Sequence, residues 1–189
     1  MHIFYLEKYH FIEKFEVNEL IKLDNSISII YRNYSKPKDL KTILRIKMFC
    51  KGKGIKFFLS NEIKLALKLD LDGVYLPSFN KCLRVNLHNI KKKIKLIGSA
   101  HNLNEIRCKE KQKVDRLFIS SLFKNKHTFL GLNRFKVLSK LTKTPIIALG
   151  GINQNNLNKL NLLDIKGFAA ISFFKSKKKG PNKRGPINF

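Results

Sequence analysis

The stretch Thr144-Pro-Ile-Ile-Ala-Leu-Gly-Gly-Ile-Asn153 is an apolar run of strand length that ends in two glycines and an Asn, ahead of a segment of helical period. Such a turn leaves backbone N–H groups unclaimed above the strand, and unclaimed N–H groups suit a phosphate. Gly167-Phe-Ala-Ala-Ile-Ser172 repeats the arrangement one short helix later. In a barrel of alternating strands and helices, the last two strand ends are where phosphate sites form most often. Two glycines after a buried strand also mark an ordinary turn, so the reading depends on what surrounds them.

Working outward, apolar runs alternate with helical segments through most of the chain. The runs cover residues 2–6, 26–32, 55–60, 73–76, 95–100, 115–121, 145–150 and 167–173. Helical patterns fall at 17–23, 38–50, 61–69, 102–112, 133–140 and 155–162, with a fainter one at 87–93. Eight strand–helix units in series predict a compact parallel (β/α)8 TIM barrel of the α/β class. The chain has 189 residues, against roughly 250 for a typical barrel. Its loops are therefore expected to be short and its final helix reduced or absent. An open doubly wound sheet is the rival, but no G-x-G-x-x-G turn follows the first strand. Residues 1–174 are read as one barrel domain, and 175–189, dense in Lys with Gly and Pro, as a disordered basic tail.

Composition narrows the partners. A hydrophobic content of 43% fits a globular chain. No window nears the roughly 18 apolar residues of a membrane span, and the first residues lack a basic then apolar leader, so a cytoplasmic protein without a membrane partner is expected. Cys50, Cys82 and Cys108 are too scattered for a disulfide framework or a zinc site. The net charge of +26 raises nucleic acid as a partner. Against it, Lys is spread over nearly every helix beside abundant Asn and Ile, the signature of an AT-rich coding sequence. Self-association is neither specified nor excluded by these residues.

In a parallel barrel the chemistry lies at the C-terminal strand ends. Those ends supply Arg32 and Tyr34, Ser60, Tyr75, Ser99 and His101, Ser120 and Ser121, Gly150 and Gly151, and Ile171 and Ser172. The set is rich in hydroxyls and poor in carboxylates, which favours an anionic ligand. Arg32 closes an apolar strand and suits bidentate contact with phosphate oxygens. His101 follows strand five directly, and His127 lies in a basic loop after strand six, where either imidazole can serve as a proton carrier or phosphate partner. Asn61, Glu62 and Asn80 offer oxygen ligands, but neutral amides hold Mg²⁺ weakly and would need help from substrate phosphates. The metal ligands thus remain unassigned.

With these residues assembled, the chain resembles the thiamine phosphate synthase and thiazole tautomerase family, most clearly from Gly54 to Phe174. The segments ending Gly150-Gly151-Ile152 and Ala170-Ile171-Ser172 resemble its two phosphate-binding strand ends, and Asp72-Gly-Val-Tyr-Leu-Pro77 resembles its fourth strand. One branch is matched by Arg32-Asn33-Tyr34, Ala100-His101-Asn102, Ser120-Ser121-Leu122-Phe123, His127, Leu130-Gly131 and Arg134-Phe135. The resemblance implies a transferase that joins hydroxymethylpyrimidine diphosphate to a thiazole phosphate and uses Mg²⁺. It assigns Arg32, with His101 and His127, to catalysis, and Gly150, Gly151, Ile171 and Ser172 to the thiazole phosphate. Tyr34, Ser60, Tyr75 and Ser99 would line the substrate. Where the family carries its magnesium carboxylates, this chain has Asn61 and Asn80, and where the tautomerase carries its catalytic His it has Ser121. A thiazole tautomerase or other phosphate-ligand isomerase is the second reading. A non-catalytic basic protein binding phosphate or nucleic acid is the third.

Overall fold

A computed structural model describes residues 6–35, 38–83, 94–125 and 127–174. The helix expected at 87–93 and the tail at 175–189 lie outside the described residues. Eight parallel strands, each paired with its neighbours in chain order, close into a barrel. They are β1 (Glu7–Ile12), β2 (Ile27–Tyr31), β3 (Phe57–Ser60), β4 (Gly73–Leu76), β5 (Lys95–Ala100), β6 (Arg116–Ile119), β7 (Ile146–Leu149) and β8 (Gly167–Ala170). The helices between them are α1 (Val17–Leu20), α2 (Leu40–Lys53), α3 (Ile63–Lys68), α4 (Leu103–Lys111) and α5 (Gly131–Lys140). No described helix is long and apolar enough to cross a membrane.

Two elements differ from expectation. The first strand is Glu7–Ile12, not residues 2–6, of which only Leu6 is described. Its polar letters disguise it: Tyr9 and Phe11 point into the barrel while His10 and Ile12 take the alternate face. The helix expected over 155–162 is a 3-10 helix over Leu157–Leu162. Asn153, Asn155 and Asn156 fold the preceding turn on themselves, Asn153 accepting from the N–H groups of both others, which leaves too few residues for an α-helix.

Alternation explains why the barrel is solid. Tyr9, Phe11, Ile30, Phe58, Tyr75, Ile97, Phe118, Ile147 and Ala169 fill the interior. Edge-on aromatic contacts knit them, with Tyr9 and Phe118 5.1 Å apart and Phe11 and Tyr75 5.1 Å apart. Outward residues Ile29, Phe57, Leu59 and Val74 pack with Ile43, Ile46 and Cys50 of α2. On the other flank Leu117, Ile119 and Phe168 pack with Ile106 and Phe135. Cys50 belongs to this layer as a free thiol, and burial, reinforced by the Asp72 carboxylate, pushes it up to about 12.

At the N-terminal mouth Arg116 grips Glu7, its Nη2 2.6 Å from Oε1, while the Tyr9 hydroxyl donates to Oε2 at 2.6 Å. Burial alone would raise the Glu7 carboxyl, but the hydrogen bonds from Arg116 and Tyr9 prevail and hold it below its usual range. This contact therefore stabilises the fold above the carboxylate's unfolded pKa and is lost as pH falls through the lower, folded value.

Glycine positions make the closure testable. A Cβ on Gly167 would stand 2.2 Å from the Glu7 carbonyl, where β8 meets β1, whereas one on Gly52, in α2, meets nothing within 4 Å. Gly167→Ala should destabilise by about 1–3 kcal/mol or more through backbone displacement. Gly52→Ala should stabilise by about 0.5–1 kcal/mol. Chemical denaturation of both variants checks the pair.

Candidate functional site

At the C-terminal mouth, the ends of β2 and β4 to β8 surround a cavity of about 240 Å³. Arg32, Tyr75, Ser99, His101, Gly150, Gly151, Ile171 and Ser172 all line it, so eight of the eleven expected site residues are brought together. A more open recess of about 560 Å³, lined by Lys136, Lys140, Lys143 and Lys166, lies at the opposite end of β7. No strand C-termini converge there, and its lysines are side chains of a solvated rim, so the smaller cavity is the better-built site.

Its side formed by the ends of β7 and β8 is backbone. Gly150 and Gly151 turn the chain with φ of 107° and 74°, values that L side chains rarely adopt. A Cβ on Gly150 would stand 2.6 Å from Ser121 Oγ, and one on Gly151 2.5 Å from the Lys124 backbone nitrogen. The loop after β6 is pinned against this turn: Leu122 N–H donates to the Leu149 carbonyl at 2.9 Å and Phe123 N–H to that of Gly150 at 2.8 Å. Ser121 Oγ donates to the Lys124 carbonyl at 2.9 Å. Among the described residues no partner takes up the N–H groups of Gly150, Gly151, Ile171 or Ser172. Two strand ends thus bring unclaimed backbone donors to the wall of one cavity, an arrangement suited to an oxyanion.

Cationic and imidazole groups stand across from that backbone. Arg32 Nη2 reaches Glu13 Oε1 at 2.6 Å, and its guanidinium lies 5.3 Å from the centre of the Phe11 ring. The Glu13 side chain is 64% exposed, so this ion pair is worth at most about 1 kcal/mol and holds the guanidinium only weakly. Lys124 adds a second cation to the lining. His101 Nδ1 is 2.9 Å from Glu105 Oε2, which also accepts from the His101 backbone N–H at 2.7 Å. That contact makes Nδ1 the donor and leaves Nε2 for a ligand. Tyr75 donates to Ser99 Oγ at 2.8 Å, and burial pushes its phenol up to about 12, so it stays a neutral hydrogen-bonding group.

Three expected residues fall elsewhere. Ser60 is buried at the end of β3 and donates to the Tyr34 hydroxyl at 3.3 Å, beside the cavity rather than on it. Tyr34 is half-exposed, its ring 5.4 Å from that of Phe79. His127 is exposed on the loop after β6, and its neighbour Thr128 lines the cavity instead. Thr128 is carried there because its carbonyl accepts from the Ser121 N–H at 3.1 Å.

Glu105 was not foreseen from the sequence, and Lys124 was not singled out within its basic loop. Glu105 had a signal: Asn102-x-x-Glu105 opens α4, and the Asn102 side chain accepts from the Glu105 N–H at 3.0 Å. Lys124 was legible only as part of the basic loop after strand six, from which it lines the cavity while His127 does not.

The positions that the resemblance reserves for magnesium ligands do not fit the ion. Asn61 and Asn80 are hydrogen-bonded to each other at 2.6 Å, and Glu62 lies 3.5 Å from the Lys38 ammonium. No cluster of three His, Cys, Asp or Glu able to hold a metal occurs among the described residues.

With the geometry in hand, comparison with known proteins decides the family. The family model described as thiamine monophosphate synthase matches residues 15–174. The chain belongs to that family. It is 26% identical over 155 residues to a thiamine-phosphate synthase of Clostridioides difficile, covering 78% of this chain and 72% of that one. It is 29% identical over 161 residues to a thiamine-phosphate synthase of Prochlorococcus marinus, spanning 81% of this chain and 46%, about half, of that relative. The solved thiamine phosphate pyrophosphorylase of Pyrococcus furiosus shares the fold at a TM-score of 0.71 and 24% identity, over 88% of this chain and 86% of that one. Membership in a family of transferases favours the synthase reading over the isomerase and the non-catalytic one.

Glu105→Ala should cost about 1 kcal/mol through loss of the cap contacts. It should also free the His101 ring: imidazole ¹⁵N spectra of the parent should show Nδ1 protonated and Nε2 bare in the neutral ring, and the variant a mixture of tautomers.

Proposed function

We propose that this chain condenses hydroxymethylpyrimidine diphosphate with thiazole phosphate to give thiamine phosphate and diphosphate. The observation that carries this reading is the meeting, in one cavity, of the free N–H groups after β7 and β8 with Arg32 and Lys124. One anion is suited to the backbone donors and a second to the cations.

In the reaction, the bond between the pyrimidine methylene carbon and the diphosphate oxygen breaks, and the electron pair leaves with diphosphate. The thiazole nitrogen then gives its lone pair to the methylene carbon. No proton changes hands, so the protein's task is to stabilise the departing charge and align two rings. Arg32, released from Glu13, and Lys124 stabilise the leaving diphosphate. Gly150, Gly151, Ile171 and Ser172 hold the thiazole phosphate through their N–H groups. Tyr75 and Ser99 form the wall between them, Ser60 and Tyr34 brace its rim, and His101 Nε2 offers a ring-facing acceptor. Magnesium would enter with the substrate's diphosphate and would supply counter-charge to the leaving group, beside Arg32 and Lys124.

The isomerase alternative needs a base late in strand six. Ser121 occupies that place and spends its hydroxyl proton on the Lys124 carbonyl. A serine hydroxyl so engaged cannot carry a proton to and from carbon at neutral pH.

Purified protein supplied with both substrates and Mg²⁺ should form thiamine phosphate and diphosphate in equal amounts. Saturable thiazole phosphate binding without product would refute the synthase step. Arg32→Met should lower kcat/KM by about 10- to 100-fold, the worth of a charge-assisted contact. Gly151→Ala should abolish thiazole phosphate binding, while His127→Ala leaves turnover within about twofold, as expected of exposed surface.

A further inference from the structure

The ends of β3 and β4 carry a polar network that the proposed reaction does not use. Asn61 has a φ of 60°, and its N–H donates to the Tyr75 carbonyl at 2.8 Å, which fixes its side chain beside the loop after β4. Asn80 Nδ2 donates to Asn61 Oδ1 at 2.6 Å. Asn80 Oδ1 in turn accepts from the Cys82 N–H at 2.9 Å and from Gln112 Nε2 at 3.2 Å. Both amide oxygens are therefore occupied by protein donors.

Beneath this pair lies Lys109 of α4, a lysine with no exposed surface. Its ammonium donates to three oxygens: Pro77 O at 2.8 Å, Asn80 O at 2.7 Å and Gln112 Oε1 at 3.0 Å. The stem reaches that place across β5, where a Cβ on Gly98 would stand 2.8 Å from Lys109 Cδ. A buried charge is retained only where polar partners saturate it, and here every ammonium proton has an acceptor. No carboxylate is among them, so the positive charge is not cancelled within its own shell. A divalent cation beside Asn80 would meet that charge, two neutral oxygens already engaged, and a Glu62 paired with Lys38.

We propose that the ends of β3 and β4 in this chain hold no divalent cation: the Asn61 and Asn80 amides join the two strand ends directly, and the protein's own cation, the Lys109 ammonium, ties the loop after β4 to α4. Lys109 gathers oxygens from a loop and a helix as a bound metal ion would, and it fixes the loop that follows Tyr75. The proposal concerns the mouth of the proposed synthase site, but its test uses neither substrate and stands apart from that reading.

The test is a titration of the full chain with Mn²⁺, read by the electron paramagnetic resonance signal of the free ion and by the melting temperature. The parent should show no saturable binding through the millimolar range and no shift in melting. Asn61→Asp/Asn80→Asp, or Asn61→Asp alone if the double variant does not fold, should gain a saturable site at least about tenfold tighter. Lys109→Met should melt well below Lys111→Met, a change on the exposed side of α4, and Mn²⁺ should not restore it. A saturable Mn²⁺ site in the parent that is lost in Asn61→Ala would overturn the proposal. So would folded carboxylate variants that bind Mn²⁺ no better than the parent, or a Lys109→Met protein as stable as Lys111→Met.

Discussion

Hydrogen bonding between β8 and β1, in the register Glu7 with Gly167 through His10 with Ala170, turns a row of eight strands into a ring. A ring has no edge, so every strand end is forced onto one of two mouths. The parallel direction then gathers all eight C-terminal ends on the same mouth. Gly150 and Ile171 face the same space for this reason, although twenty-odd residues separate them along the chain. The interior aromatics make the arrangement rigid, because Tyr9, Phe11, Phe58 and Phe118 leave no central channel into which a strand end could relax.

Scarcity of carboxylates shapes the site as much as the ring does. Lys and Arg number 39 against 13 Asp and Glu, so an acid at the mouth has a measurable task wherever it occurs. Glu13 steadies Arg32, and Glu105 fixes the ring of His101. Around β3 and β4 the acids give way to amides, and a buried ammonium draws the loop together. The two sides of the cavity thus reach the same end by different means. One relies on backbone donors that need no side-chain charge, and the other on side-chain cations held by a few acids.

Much of this was legible in the sequence, for reasons that particular residues make plain. Seven of the eight strands stand within the expected runs because their apolar letters are contiguous, as buried parallel strands require. The exception, Glu7–Ile12, carries Glu, Lys and His on faces that end at the barrel mouth or pack under Phe174. Gly150, Gly151, Ile171 and Ser172 were readable because strand termini fix them. Ser60 and Tyr34 were placed by strand-end order, and His127 by a basic loop and the family pattern, none of which says which side of a rim a side chain takes. Lys109 was illegible: a lysine on a helix reads as solvated, and only the three carbonyl-type oxygens that meet it explain its burial.

The central claim is that a phosphorylated ring is held by the N–H groups after β7 and β8. Titration of ¹⁵N-labelled protein with thiazole phosphate, followed amide by amide, addresses it directly. The account predicts saturable downfield shifts of Gly150, Gly151, Ile171 and Ser172 amides, with one shared dissociation constant. Shifts confined to the lysine-lined recess at the far end of β7, with those four amides unmoved, would contradict it.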